Sequence, residues 1–127
     1  MSSTKAIENL INGYATSEDS SFLIPNRTKD FLAVRPSGNP ISAEKLVEMF
    51  DNKELVAVSS ELIRIHKIEI FDKVAYAVFT LNEIFSFKGN QNKYLSTYTC
   101  IFKNENGLWK YYWMQRSQGT TDMRTWN

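Results

Sequence analysis

Two neighbouring segments, "KYLSTYTCIFK" (93–103) and "GLWKYYWMQRSQ" (107–118), alternate in side-chain character and are joined through "NENG", whose Asn106-Gly107 is a strong hairpin signal. With a two-residue turn, Glu105 faces Leu108, Phe102 faces Tyr111, Cys100 faces Trp113, Tyr98 faces Gln115 and Ser96 faces Ser117. One face of the hairpin then runs from aromatic (Phe102, Trp109, Tyr111, Trp113) to polar (Ser96, Tyr98, Gln115, Ser117). Thr80 and Asn82 of the preceding segment, placed on that side, join the polar end. Hydroxyls and amides converging at the rim of an apolar cavity are the makings of a small-molecule site. Strand-end Ser and Gln exposed only to water are the plain alternative.

Other reactive residues point to less. His66 is the sole histidine and Cys100 the sole cysteine, far apart in sequence, so no metal-ligand set is expected. Cys100 reads as a small inward hydrophobe and His66 as a structural or exposed residue. In "RPSGNP", Arg35 and Ser37, with the free N–H groups of the helix that follows, offer a place for an anion; the same residues also make an ordinary turn and cap. Asp30 and Asp51 stand near element ends, where capping and solvation are their expected roles. Glu83 has the opposite parity to Thr80 and Asn82 and is expected to face outward.

The elements that must position these residues come in a simple order. Ile7, Leu10, Ile11 and Tyr14 recur at helical spacing behind the caps Ser2, Ser3 or Thr4, and Gly13 weakens the last turn. A short strand at 31–35 and a turn precede a second helix, "SAEKLVEMFDN", capped by Ser42. From Lys53 onward the pattern is strands: 55–71, 73–87, 93–103 and 108–118. In the first of these Ile63 and Ile65 share one parity and Ile68 and Ile70 the other, which marks a bulge near His66. Helices followed by an antiparallel meander predict one α+β domain over residues 1–127, with N-terminal helices packed on a curved antiparallel sheet. The second sheet face, with Phe79, Leu81, Phe85, Ile101, Tyr112 and Met114, is too apolar to stand bare and is assigned to a homodimer interface.

Bulk properties narrow the partners. Fifteen basic and fourteen acidic residues leave a net charge of +1, without the basic face that nucleic acid requires. One cysteine excludes a disulfide framework, no apolar run is long enough to span a bilayer, and the N-terminal segment lacks signal-peptide character. A cytoplasmic protein without cofactor, membrane or nucleic-acid partner is the expectation.

The order of elements, with Gly107, Trp109, Lys110 and Ser117 in the closing pattern Gly-x-Trp-(Lys/Arg)…Ser, resembles the nuclear transport factor 2-like superfamily. "RPSGNP" and "FSFKGNQN" are similar to a SnoaL-like subgroup of unassigned activity. The resemblance implies a cystatin-like cone roll with a deep pocket and frequent dimers; it does not imply one chemistry. Isomerases of the superfamily pair a carboxylate base with a tyrosine hydroxyl, for which Tyr98, Tyr14 or Tyr76 are the candidates here. Metal-free iota-class carbonic anhydrases hold bicarbonate with Thr, Tyr, His and Ser. Thr80, Tyr98 and Ser117 match three of these, but Gln115 stands where the histidine belongs and cannot shuttle protons. A ligand-binding domain with isomerase, cyclase or lyase chemistry is one reading, and a non-catalytic dimeric module or subunit of a larger assembly is the other. Whether the chain is an enzyme stays open at this level.

Overall fold

The structure, a computed structural model, describes residues 2–17 and 20–119. Helix α1 spans Ser3–Thr16, capped by the Ser2 hydroxyl, which accepts the Lys5 amide at 3.2 Å. Strand β1 (Arg27–Val34) and short β2 (Pro40–Ser42) lead into α2 (Ala43–Asp51), where the Ser42 hydroxyl accepts the Lys45 amide at 3.1 Å. The meander follows as β3 (Leu55–Phe71), β4 (Val74–Phe87), β5 (Asn90–Glu105) and β6 (Leu108–Gly119). The six strands form one curved sheet in the order β2-β1-β6-β5-β4-β3, with the helices packed on it. The α+β expectation holds, and the sheet is mixed: β1 runs parallel to β6 because α2 intervenes before the meander begins.

The turns follow their residues. Asn106 (φ 56°) and Gly107 (φ 89°) make the two-residue hairpin loop, and Glu105 pairs with Leu108 as expected. Strand β3 breaks register three times, once between Ile65 and Lys67, so the bulge at His66 is present and the long strand curls.

Register then departs from the expectation at one place in β6. Phe102 pairs with Tyr111, but Ile101 pairs with Trp113, leaving Tyr112 as an extra residue. Beyond this bulge the faces of β6 are exchanged: Cys100 pairs with Met114 and Tyr98 with Arg116. On β4, Phe79 pairs with Tyr98 and Thr80 with Thr97. Residues directly opposite share a face, so Thr80, Asn82, Trp113, Gln115 and Ser117 lie on the outer face. Phe79, Leu81, Phe85 and Met114 lie inside with Tyr98. Of the six residues assigned to a dimer face, only Ile101 and Tyr112 remain outside.

The core sits between the inner face and α1. Ile7 and Ile11 of α1, Ala75, Ala77 and Phe79 of β4, and Cys100, Phe102 and Tyr111 are fully buried. Rings close this end of the fold: Tyr98 stacks on Phe79 at 5.3 Å, Tyr14 meets Tyr98 edge-on at 5.6 Å, and Phe102 contacts Tyr111 at 4.7 Å. The Tyr111 hydroxyl donates to the Leu10 carbonyl at 3.1 Å and ties α1 to the sheet. Gly13 is also a contact point, since a Cβ there would fall inside the ring of Phe22, which packs against the core.

Two outcomes follow. Gly13→Ala is expected to lower stability by about 1–3 kcal/mol through overpacking. In a Phe22→Ala background the same change should instead add up to about 1 kcal/mol of helix propensity; denaturant midpoints of the four proteins check the sign reversal. The second concerns pH. Burial pushes the phenols of Tyr98 and Tyr111 well above their ordinary range, and that of Tyr14 too, where the nearby Glu83 charge adds to burial. The folded chain therefore keeps protons that the unfolded chain releases above about pH 10. The stability they contribute is complete below that pH and is lost as pH rises toward the folded values, by about 1.4 kcal/mol per pH unit for each phenol. Unfolding midpoints should stay flat to about pH 10 and then drop. Tyr111→Phe should soften the drop, and an unchanged slope would exclude this phenol as its source.

Candidate functional site

The inner face is graded along its length. Toward the hairpin end it is filled by rings, whereas toward the other end small residues (Ala33 of β1, Ala57, Ser59 and Ser60 of β3) leave a cavity of about 410 Å³. A volume of this size suits a small organic ligand. Leu81, Phe85 and Phe87 of β4, with Leu46 and Met49 of α2, make the wall mostly apolar.

Its polar centre is built from three strands. Glu83 of β4 follows Phe79 and Leu81 at the strand period and points inward with them. The Tyr98 hydroxyl of β5 lies 2.9 Å from both Glu83 carboxylate oxygens and donates to that group. Arg116 of β6, turned inward by the bulge, donates from Nη1 to Glu83 Oε1 at 3.2 Å. Its guanidinium also lies over the Phe85 ring at 5.0 Å and near the Tyr94 ring at 5.9 Å, a cation–π arrangement that fixes its plane. The pair is largely shielded, with side-chain exposures of 13% for Glu83 and 21% for Arg116, so each charge depends on the other. Burial, with the Tyr14 phenol and the Glu83 charge beside it, raises Tyr98 well above the usual phenol range, so it stays a neutral donor.

The residues singled out from sequence are divided between the two faces. Tyr98 and Arg35 line the cavity, as do Tyr14 and Ser37. Ser96 shares the inner face and is fully buried, without a hydrogen-bond partner among the described residues. Thr80, Asn82, Trp113, Gln115 and Ser117 are separated from Tyr98 by the sheet. Gln115 and Ser117 border a shallower recess of about 290 Å³, together with Arg35 and Arg116. Thr80 is covered by His66, whose Nε2 lies 2.8 Å from the Thr80 hydroxyl, which in turn lies 2.7 Å from that of Thr97. Burial and Arg64 lower the His66 pKa. Tyr76 is on the outer face opposite Ile101, and the Asp30 carboxylate accepts from the Thr28 hydroxyl at 3.0 Å. The α2 N-terminus is served by Ser42 itself. Burial raises the Cys100 thiol well above its ordinary value, so it is no nucleophile.

Sequence reasoning placed Glu83 on the outer face, where the structure turns it inward with Phe79 and Leu81, and it did not single out Arg116. For Glu83 a signal existed: Ala75, Ala77, Phe79 and Leu81, the odd positions of β4, form its continuously apolar side. For Arg116 there was none, because its direction depends on a bulge that no Gly or Pro announces. Among the described residues no cluster of His, Cys, Asp or Glu can hold a metal, and no helix is long and apolar enough to cross a membrane.

Comparison with known proteins agrees with this architecture. No curated protein matches the chain. An NTF2-like protein of unknown function from Prochlorococcus is 43% identical, covers 99% of this chain and 100% of its own, and superposes with a TM-score of 0.87. More distant structures share the fold alone. One is an uncharacterised cystatin-like protein from Caulobacter vibrioides (19% identity, 95% and 92% coverage, TM-score 0.75). Another is a hexachlorocyclohexane dehydrochlorinase (14% identity, 93% and 86% coverage, TM-score 0.75). The model of a family of unknown function, DUF3804, matches residues 2–127. The chain thus belongs to the DUF3804 family, within the nuclear transport factor 2-like superfamily.

Proposed function

We propose that the chain is a single small-molecule-binding domain whose ligand occupies the cavity over β3–β6, with Tyr98, Glu83 and Arg116 at its polar end. The observation that carries this reading is the joining of an apolar cavity of about 410 Å³ to one hydrogen-bonded polar group, rather than to scattered solvated side chains. Glu83 is the only carboxylate among the described residues that line the cavity. A base for proton abstraction, as in isomerase or lyase chemistry, would have to be this residue. Its oxygens already accept from Tyr98 and Arg116, which supports binding and orientation over turnover. Bicarbonate chemistry of the iota-class type has less support, because Thr80 and Ser117 lie across the sheet from Tyr98.

A second feature favours association of two copies. Tyr76, Ile101, Trp113 and Leu32 are consecutive cross-strand neighbours from β4 to β1. They form an apolar row on the outer face, each half-buried within the chain. A two-fold contact over this row would cover it and leave the cavity free.

Both parts can be tested. Ala57→Trp sends an indole from β3 into the cavity opposite Phe85, and should abolish binding of the neutral fluorophore N-phenyl-1-naphthylamine while the circular dichroism stays that of the parent. Retained binding would place the ligand elsewhere. For the outer row, Ile101→Glu is expected to convert a dimer to a monomer in sedimentation; a parent protein already monomeric would remove this reading.

A further inference from the structure

We propose that the cavity takes an amphiphilic monoanion: an apolar body carrying one anionic head, in the simplest case a carboxylate, seated between Arg35 and Arg116. This rests on the ligand-binding reading above and specifies the class of ligand.

The charge balance of the lining is the first argument. Among the described residues three charged side chains border the cavity, Arg35 and Arg116 with positive charge and Glu83 with negative, an excess of one positive charge. Position is the second. Parallel β1 and β6 pair Ala33 with Met114 and Val34 with Gln115. Arg35 follows Val34 just past the end of β1 and Arg116 follows Gln115 on β6, and both line the cavity. Like charges bordering one cavity repel each other. Glu83 pairs with Arg116, and no carboxylate of the described residues pairs with Arg35.

The donors are also arranged for it. Arg35 is anchored by its turn: its backbone amide and its Nε both donate to the Asn39 carbonyl, at 3.1 and 3.3 Å. Its two terminal nitrogens make no hydrogen bond or ion pair with the described residues. On Arg116 only Nη1 is hydrogen-bonded among the described residues, to Glu83. A guanidinium held by its stem with the end of its fork free matches the two oxygens of a carboxylate better than it matches a neutral carbonyl. The location agrees, because Arg35, Arg116 and Gln118 border both the cavity and the shallower recess. An anionic head would sit where the two meet, while the apolar body extends along Phe85, Phe87 and Leu81.

The test uses two fluorophores with the same arylamine skeleton, 8-anilinonaphthalene-1-sulfonate and the neutral N-phenyl-1-naphthylamine, titrated into the full chain at low and high salt. The anion is expected to bind about tenfold tighter at low salt, with the gap narrowing as salt rises. Arg35→Gln should bring the ratio near one and leave the neutral probe within about twofold of the parent protein. Phenylacetate should displace the anionic probe and phenylacetamide should not. Because Arg116→Gln would leave Glu83 without its partner, Arg35→Gln is the deciding variant. Equal affinity for both probes, or an anion preference that survives Arg35→Gln, overturns the monoanion and leaves the cavity reading standing. Failure of both probes to bind would remove the cavity reading and this proposal with it.

Discussion

Tyr112 has no place in the register with β5. Two residues of β6, Tyr112 and Trp113, stand against Ile101, and from that point every side chain of the strand is exchanged between faces. The side-chain period of a strand is two, so one inserted residue is enough. Without it Gln115 would face the cavity and Arg116 the outside. With it, Met114 completes the core beside Ala33 and Cys100, and Arg116 reaches Glu83. The exchange also moves Trp113 outward, where it joins Leu32, Ile101 and Tyr76. The polar centre inside and the apolar row outside thus have a single geometric origin.

The elements were legible because each rests on local chemistry. Ser2 and Ser42 cap their helices, the Asn106-Gly107 loop pairs Glu105 with Leu108, and the change of phase in the isoleucines of β3 marks a real bulge at His66. The faces were legible only as far as Tyr111, up to which pairing outward from the turn is correct. Beyond it, the inference needed a bulge that leaves no residue-type signature, since Tyr112 suits either a regular or a bulged position. Thr80 and Asn82 were misplaced for another reason. Their polarity suggested a pocket, but the alternating apolar side of β4 comprises Ala75, Ala77, Phe79 and Leu81, and parity then puts Thr80 outside. Thr80 still reaches full burial there, under His66, which shows that burial alone does not identify the core side of a sheet.

The cavity depends on where large side chains are absent. At the end near α1, Tyr14, Phe79, Tyr98, Phe102 and Tyr111 touch ring to ring and leave no space. At the other end the strands flanking the cavity carry Ala33, Ala57, Ser59 and Ser60, which cannot meet across it. The apolar wall left facing a cavity of about 410 Å³ forgoes burial from water that a filled cone would gain.

The polar centre carries a similar cost. A shielded Glu83–Arg116 pair contributes little net stability compared with apolar residues of the same volume, because both ions lose hydration. Tyr98 offsets part of that loss by donating to the carboxylate, and the rings of Phe85 and Tyr94 offset part for the guanidinium. Arg35, just past the end of β1, adds a second positive charge to the lining, which no carboxylate of the described residues pairs. The cavity, the desolvated pair and the second arginine lie together on the inner face, away from its aromatic end. Folding needs none of the three, and space, fixed donors and a free charge are what the proposed binding site would use.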